Sequence, residues 1–389
     1  MKRMILSITF AFCFILILMS LKTYRFEDEE LTRTIIPNDP YISNQSALNT
    51  IKAYDAWSYA TDASNIKVAI IGSGINAYHE DLSANMNFNY SYCYDSNDSA
   101  FYDNTGHGTA IAGIIGATTN NNIGVAGVCW GVDMYSFKVN NSNDSYSNSN
   151  VAAAINYASS IGIDIINMSF GLLEYSSEVD AAISNFDGLI VCSSGNLGYD
   201  NDLYQHYPSN YSHDNIIAVG GISNDYSIHP NSNYGLTTVD LFAPMATYTT
   251  YYDSTNSSLK YAYLTGTSYA AAYVVGAVAL LESEHPDLTP LGIKDLLLSR
   301  VSKKDNLQGK CVSGGALSLF NFFHNHSNTY SYYDNTYHTC TCSICGDSYR
   351  RVHHWTQIYS NNFALVAEPN IRIRYECVDC GAFSLNPYI

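Results

Sequence analysis

Charge is scarce in this chain of 389 residues: 14% Asp, Glu, Lys and Arg, where about a quarter is usual. Positive charge is scarcest, with 18 Lys and Arg against 35 Asp and Glu, a formal net charge of −17. A chain so poor in cations lacks the basic footprint that phosphate backbones require, which excludes nucleic acid as a main partner. Only 9 prolines are present, too few for stiff proline-rich spacers. After the first 30 residues no unbroken apolar run reaches the roughly 20 residues of a membrane-spanning helix. What is plentiful is tyrosine, 34 in all, within a globular composition that is 47% hydrophobic.

The exception among apolar runs is at the start. Lys2 and Arg3 precede an uncharged run, Met4–Leu21, and Glu27, Asp28, Glu29 and Glu30 follow it. Residues 1–30 therefore read as a targeting segment, either a cleaved signal peptide or an N-terminal membrane anchor. Both export the rest of the chain to the cell surface or the extracellular space, with the basic end inside. Association with a membrane is expected only through this segment, if it stays uncleaved.

Three stretches carry chemistry. GTSYAAAYVVGAVALL (266–281) begins with Gly266, Thr267 and Ser268 and continues as a helix apolar on every face, which belongs in a core. A serine in the first turn lies where free N–H groups and the positive dipole end favour a developing oxyanion. TGHGTAIAG (105–113) sets His107 between glycines at the start of a second apolar helix. CSSGN (192–196) places Asn196 just past an apolar run. A nucleophile, a base and an amide donor are the parts that acyl transfer through a tetrahedral intermediate needs.

At these motifs the chain resembles the subtilisin-like serine peptidases, over about Pro37 to Phe323. GHGT, SSGN and GTSYAA stand in that family's order. The resemblance implies Ser268 as nucleophile, His107 as general base, and Asn196 with the Ser268 N–H as oxyanion hole. It implies substrate contacts from Ser169, Phe170 and Gly171 on one wall of the cleft and Ser193, Ser194 and Gly195 on the other. One motif departs from the pattern. The family's first triad member is an aspartate ending the first core strand, and in VAIIGSGI (68–75) that position is held by Gly72. The missing carboxylate would hold His107 in its working tautomer and stabilise the imidazolium.

The resemblance also implies structural calcium at Asp81 and Asn121, with carbonyls of Thr119, Ile123 and Val125. An Asn-rich turn without an ion explains the same residues. Peptides or proteins are the implied substrates or ligands.

The pattern of residues gives the fold class independently. Lys67–Ile71, Met134–Val139, Ile163–Met168, Leu189–Cys192 and Ile216–Val219 read as apolar strands. Val151–Ser160 and Val179–Phe186 have helical spacing between them. Alternation of this kind predicts an α/β fold, a mostly parallel sheet flanked by helices in three layers, with sites at the carboxyl ends of the strands. Thr289–Pro290 predicts a helix start, and the domain is expected to span 37–323.

Residues 324–339 read as an Asn/Ser/Tyr-rich linker and 340–389 as a small Cys-rich module. Cys342-x-x-Cys345-Gly and Cys377-x-x-Cys380-Gly resemble zinc-ribbon knuckles, which would hold structural zinc; disulfides suit an exported module equally. Cys93, Cys129, Cys192 and Cys311 are widely spaced, so thiols or disulfides are both open. The combined expectation is an exported subtilisin-type serine endopeptidase, impaired at Gly72. The alternatives are a peptide-binding protein without turnover, or a scaffold for a tail that binds a surface partner.

Overall fold

A computed structural model describes residues 34–323, apart from 95–97, 142, 173 and 257, and in the tail residues 328–333, 337–342, 348–352, 355–358, 374–377 and 383–384. The targeting segment lies outside the described residues. Among those described, no helix is long and apolar enough to cross a membrane.

Two short helices, α1 (Ser46–Thr50) and α2 (Ala53–Ala56), lead into strand β1 (Asp62–Gly72). Then follow β2 (Tyr92–Cys93), α3 (His107–Gly116), β3 (Gly131–Lys138), α4 (Asn148–Ser160), β4 (Ile165–Met168), α5 (Ser177–Ser184), β5 (Leu189–Ser193) and β6 (Ile216–Ile222). The domain continues with β7 (Leu241–Pro244), β8 (Ala246–Thr250), β9 (Tyr261–Thr265), α6 (Thr267–Glu284), α7 (Pro290–Ser299), β10 (Ser302–Lys303) and β11 (Gly315–Ala316). Nine strands form one sheet in the order β10-β11-β7-β6-β5-β4-β1-β3-β2. Every pairing is parallel except β10 with β11. The five apolar runs that predict strands all lie in this sheet.

The sheet separates two cores. Side chains of Val68 and Ile70 face one core with Ile111, Ile115 and the length of α6. Ala69 and Ile71, their alternates, face the other with Val151, Ile155, Val179 and Ile183 of α4 and α5. This is the period-2 alternation of a strand covered on both faces, and it yields the three layers. Helix α6 is buried from Thr267 to Leu281, and Gly276 lets it approach Val128 where any Cβ would clash. Thr289 caps α7 through its Oγ1, which accepts from the Gly292 N–H, and Pro290 opens the helix.

Strand β3 leaves β1 on one side and β4 returns on the other. The crevice outside the carboxyl ends of β1 and β4 is therefore the topological switch point, where such sheets bind ligands. A two-stranded antiparallel hairpin, β8 with β9, packs over α3.

In the tail, β12 (Asn328–Tyr332), β13 (Tyr337–Cys342) and β14 (Ser348–Val352) pair antiparallel. A second sheet joins β15 (Trp355–Ile358), β16 (Arg374–Cys377) and β17 (Phe383–Ser384). The stretch expected to be a tether thus carries a strand. Its NTYSY run alternates tyrosine with small β-compatible residues, and composition alone obscured that. Cys129, Cys192 and Cys311 are buried thiols without disulfides.

Candidate active site

Ser268 stands in the first turn of α6, 8% exposed. Its Oγ donates to the carbonyl oxygen of Ser169 at 3.0 Å, and the Ser169 Oγ donates back to the Ser268 carbonyl at 3.1 Å. Ser268 is thereby clasped to the segment that leaves β4. Asn196 lies beside it. Its Oδ1 accepts from the Thr267 N–H at 2.9 Å and from Thr267 Oγ1 at 3.1 Å. Two donors on Oδ1 fix the amide orientation, which leaves Nδ2 as the group turned to the cleft. The other wall is held as firmly: the Gly195 N–H donates to Thr267 Oγ1, and the Ser194 Oγ to the Asn233 carbonyl. Ser193 ends β5 and is buried. Phe170, on the opposite wall, stacks on Tyr146 with ring centroids 4.5 Å apart and planes 11° off parallel.

His107 opens α3, with its ring 5.8 Å from that of Tyr269, the residue after the nucleophile. Burial holds its imidazole below the usual histidine range, and the charges of Asp103 and Asp144 act in the opposite sense. A neutral imidazole near Ser268 suits a general base. Neither ring nitrogen has a hydrogen-bond partner among the described residues.

The turn after β1 is tied to α3 by one buried carboxylate. Asp103 Oδ1 accepts from Ser73 Oγ at 2.8 Å, from the Gly106 N–H at 2.9 Å, and from both the N–H and the hydroxyl of Thr105. Its Oδ2 accepts from the Thr109 N–H and hydroxyl at 2.8 and 2.7 Å. Ser73 Oγ in turn accepts from the Gly108 N–H at 3.0 Å. Asp103 thus serves as a cap for the first turn of α3, and both its oxygens are committed away from the imidazole. Gly72 is the last residue of β1, and a Cβ built on it would meet nothing within 4 Å. On the same face, Asn167 of β4 is fully buried, with both amide atoms lacking a partner.

The model of the subtilase family matches residues 63–314. The chain belongs to the subtilase family. It is 34% identical to thermitase of Thermoactinomyces vulgaris over 253 residues, 64% of this chain and 86% of that one. It is likewise 34% identical to subtilisin DY of Bacillus licheniformis over 256 residues, 64% and 88% of the two chains. Among solved structures, a protease of Pseudoalteromonas arctica superposes with a TM-score of 0.64 at 27% identity, covering 74% of this chain and 98% of its own. The fold is therefore that of a subtilisin-type serine endopeptidase. His107, Asn196 and Ser268 of this subtilase converge on one crevice, with Ser169–Gly171 and Ser193–Gly195 as its walls. Gly72 closes the group without a side chain.

The loop holding the expected calcium residues is also formed. Asp81 is fully buried; its Oδ1 accepts from Asn121 Nδ2 at 3.0 Å and its Oδ2 from the Val125 N–H at 2.8 Å. Burial pushes its carboxyl up to about 7, with Asp39 and Glu80 adding to the rise. Asp39, which pattern reading passed over, is 1% exposed and accepts from the N–H groups of Asn120 and Asn121. Asp39 and Asp81 thus bring two buried carboxylates, hard oxygen donors, against the 120–125 loop. Among the described residues no three His, Cys, Asp or Glu side chains gather as a metal site. Cys345 and Cys380 lie outside the described residues; Cys342 and Cys377 stand in separate sheets of the tail.

Proposed function

We propose that this subtilase binds extended peptides in the crevice between β4 and β5 and cleaves them slowly, because β1 ends in Gly72 instead of a carboxylate. Exported peptides or proteins are the substrate class. The observation that carries the reading is the imidazole of His107: its ring lies 5.8 Å from that of Tyr269, the residue after Ser268, and among the described residues neither ring nitrogen is oriented by a partner. In a subtilisin, loss of the triad aspartate lowers turnover by roughly 3 × 10⁴, about 6 kcal/mol of transition-state stabilisation. The oxyanion donors and the substrate-binding walls are in place and supply the residual rate.

When an extended peptide lies along Ser169–Gly171, its scissile carbonyl faces Ser268 Oγ. That hydroxyl exchanges its bond to the Ser169 carbonyl for one to His107, which takes the proton as the Oγ–C bond forms. The Asn196 amide and the Ser268 N–H receive the oxyanion, and His107 returns the proton to the leaving amine as the C–N bond breaks; a water that gives its proton to His107 then attacks the acyl carbon, and Ser268 Oγ leaves with that proton. Without a carboxylate at position 72, the imidazolium formed in the first step is uncompensated.

The test is single-turnover labelling by a fluorophosphonate of the wild type, Gly72→Asp and Ser268→Ala. The expected result is slow labelling of the wild type, fast labelling of Gly72→Asp, and none of Ser268→Ala. Equal rates for the first two would show that another group does the work of the aspartate.

A bound calcium ion would be held by Asp39, Asp81 and Asn121 with the carbonyls of Thr119, Ile123 and Val125, and would neutralise the buried carboxylates. Asn121 presents Nδ2 to Asp81 here, so binding includes a turn of that amide. Adding calcium to chelator-treated protein is expected to raise the Tm by several degrees, corresponding to about 2–3 kcal/mol of linkage at saturation. Differential scanning calorimetry with and without the ion measures it.

A further inference from the structure

Between the two walls of the crevice stands a side chain with no role in the acyl-transfer set. A Cβ placed on Gly171 would lie 3.0 Å from His206 Nε2, and one on Gly195 would lie 2.9 Å from His206 Cδ2. The imidazole therefore spans the gap between Ser169–Gly171 and Ser193–Gly195, and the glycine on each wall leaves room for it. The segment is held there by the Leu172 N–H, which donates to the Tyr207 carbonyl at 2.9 Å, and by the His206 N–H, which donates to Asn210 Oδ1.

The hydrogen bonds around the ring decide its tautomer. Ser209 Oγ donates its single proton to the His206 carbonyl at 2.6 Å. It also lies 3.2 Å from His206 Nδ1. With its proton spent, the hydroxyl is an acceptor there, so Nδ1 carries the N–H. Nε2 is then a bare lone pair. Among the described residues it has no partner, and it faces Gly171 on one wall of the crevice. Burial lowers the affinity of this ring for a second proton, which keeps it neutral at pH 7.

We infer that His206 selects substrates of this subtilase by the residue whose carbonyl Ser268 attacks: that residue carries a hydrogen-bond donor, an amide N–H or a hydroxyl, which His206 Nε2 accepts. The inference rests on the peptide-cleft reading above and supplies its substrate class. The side chain of the attacked residue has to enter between the walls, because Ser268 is bonded to one and Thr267 to the other. An apolar side chain of the same shape would strip water from Nε2 and leave it unpaired, and polar sites reject analogues on that ground.

The test is equilibrium binding of N-acetylated, fluorescently labelled tetrapeptides to the full chain, read by fluorescence polarisation. The peptides end in glutamine or its isostere methionine, and in asparagine or its isostere leucine. Such product-like peptides fill the unprimed cleft without any need for turnover. In at least one pair the wild type is expected to bind the amide peptide roughly tenfold tighter, the value of one well-placed bond. His206→Phe keeps a planar ring and loses the lone pair, so the preference should vanish or invert. His206→Gly, which opens the space, should bind the apolar peptides at least as well as the amides. Equal or tighter binding of methionine and leucine by the wild type overturns the inference while leaving the cleft reading intact. So does a preference that survives in both variants. Failure of all four peptides to bind overturns both together.

Discussion

The two sides of Ser268 are built to different standards. Toward Asn196, the groups that set the geometry are paired: Thr267 donates twice to the amide oxygen, Gly195 donates to Thr267, and Ser268 itself is bonded to Ser169, which leaves the Asn196 Nδ2 turned to the cleft. Toward His107, the backbone is as firmly held, by Asp103 and Ser73, but the imidazole they position has no hydrogen-bond partner among the described residues. A catalytic apparatus is thus separable into parts that bind and polarise a carbonyl and parts that move a proton. On the proposed reading, the residues of the first set are Asn196, Thr267 and Ser268, held together by these bonds. The second has its base and lacks the carboxylate that orients it.

The largest effect should come from closing that difference. Gly72→Asp is expected to raise the rate of hydrolysis of an unstructured protein by up to about 10⁴-fold, with little change in KM, because the added charge acts on the imidazolium formed after binding. The open space at Gly72 accommodates the new side chain. Next in size, Asn196→Ala should lower the fluorophosphonate labelling rate by about 10²–10³. If the two sides are independent, that factor is the same in the wild type and in Gly72→Asp; a factor that differs more than about threefold between backgrounds would show that they are coupled.

Asp103→Asn separates a structural carboxylate from a catalytic one. Its Oδ1 and Oδ2 both accept, and an amide can replace only one of them, so unfolding by denaturant should show a loss of about 2–3 kcal/mol. Labelling of the folded variant should be unchanged to within a few-fold. A thousandfold drop would instead make Asp103 the functional replacement for the missing residue.

The smallest effect lies at the far end of α6. Glu282 borders a cleft of about 450 Å³ that Asp164 and His285 also line, at the edge of the sheet away from the nucleophile. Burial, reinforced by Asp164, pushes its carboxyl up to about 8. The folded chain therefore keeps a proton that the unfolded chain has released, and stability falls as pH rises from about 4.5 through 8. Glu282→Gln should flatten that fall and be more stable than the wild type by about 1–2 kcal/mol at pH 9, with no difference at pH 4 in a urea titration.

How much of this could be read beforehand varies with the physics involved. The parallel sheet was legible because its strands are buried on both faces and so appear as short unbroken apolar runs, Ile216–Val219 being one. His107, Asn196 and Ser268 were legible because each stands at a strand end or a helix start marked by glycine. Asp39 and His206 were not. Each acts through neighbours far along the chain, Asp39 with the loop of Asn120 and Asn121, and His206 with Gly171 and Gly195. A lone histidine in a loop carries no periodic signal, and its meaning comes only from the two glycines that make room for it. The strand at Asn328–Tyr332 was missed for a different reason: its pairing partner β13 is what makes it a strand.

The clasp that Asp103 forms between Ser73 and the start of α3 has a consequence for descent. The shape of the crevice is secured by residues 73, 103, 105, 106, 108 and 109 and draws nothing from the side chain at position 72. A lineage could therefore exchange the residue at position 72 and keep the hydrogen bonds that shape the crevice. Glycine and aspartate codons lie a single base apart, so the change would be open in both directions, and the clasp would preserve the crevice either way.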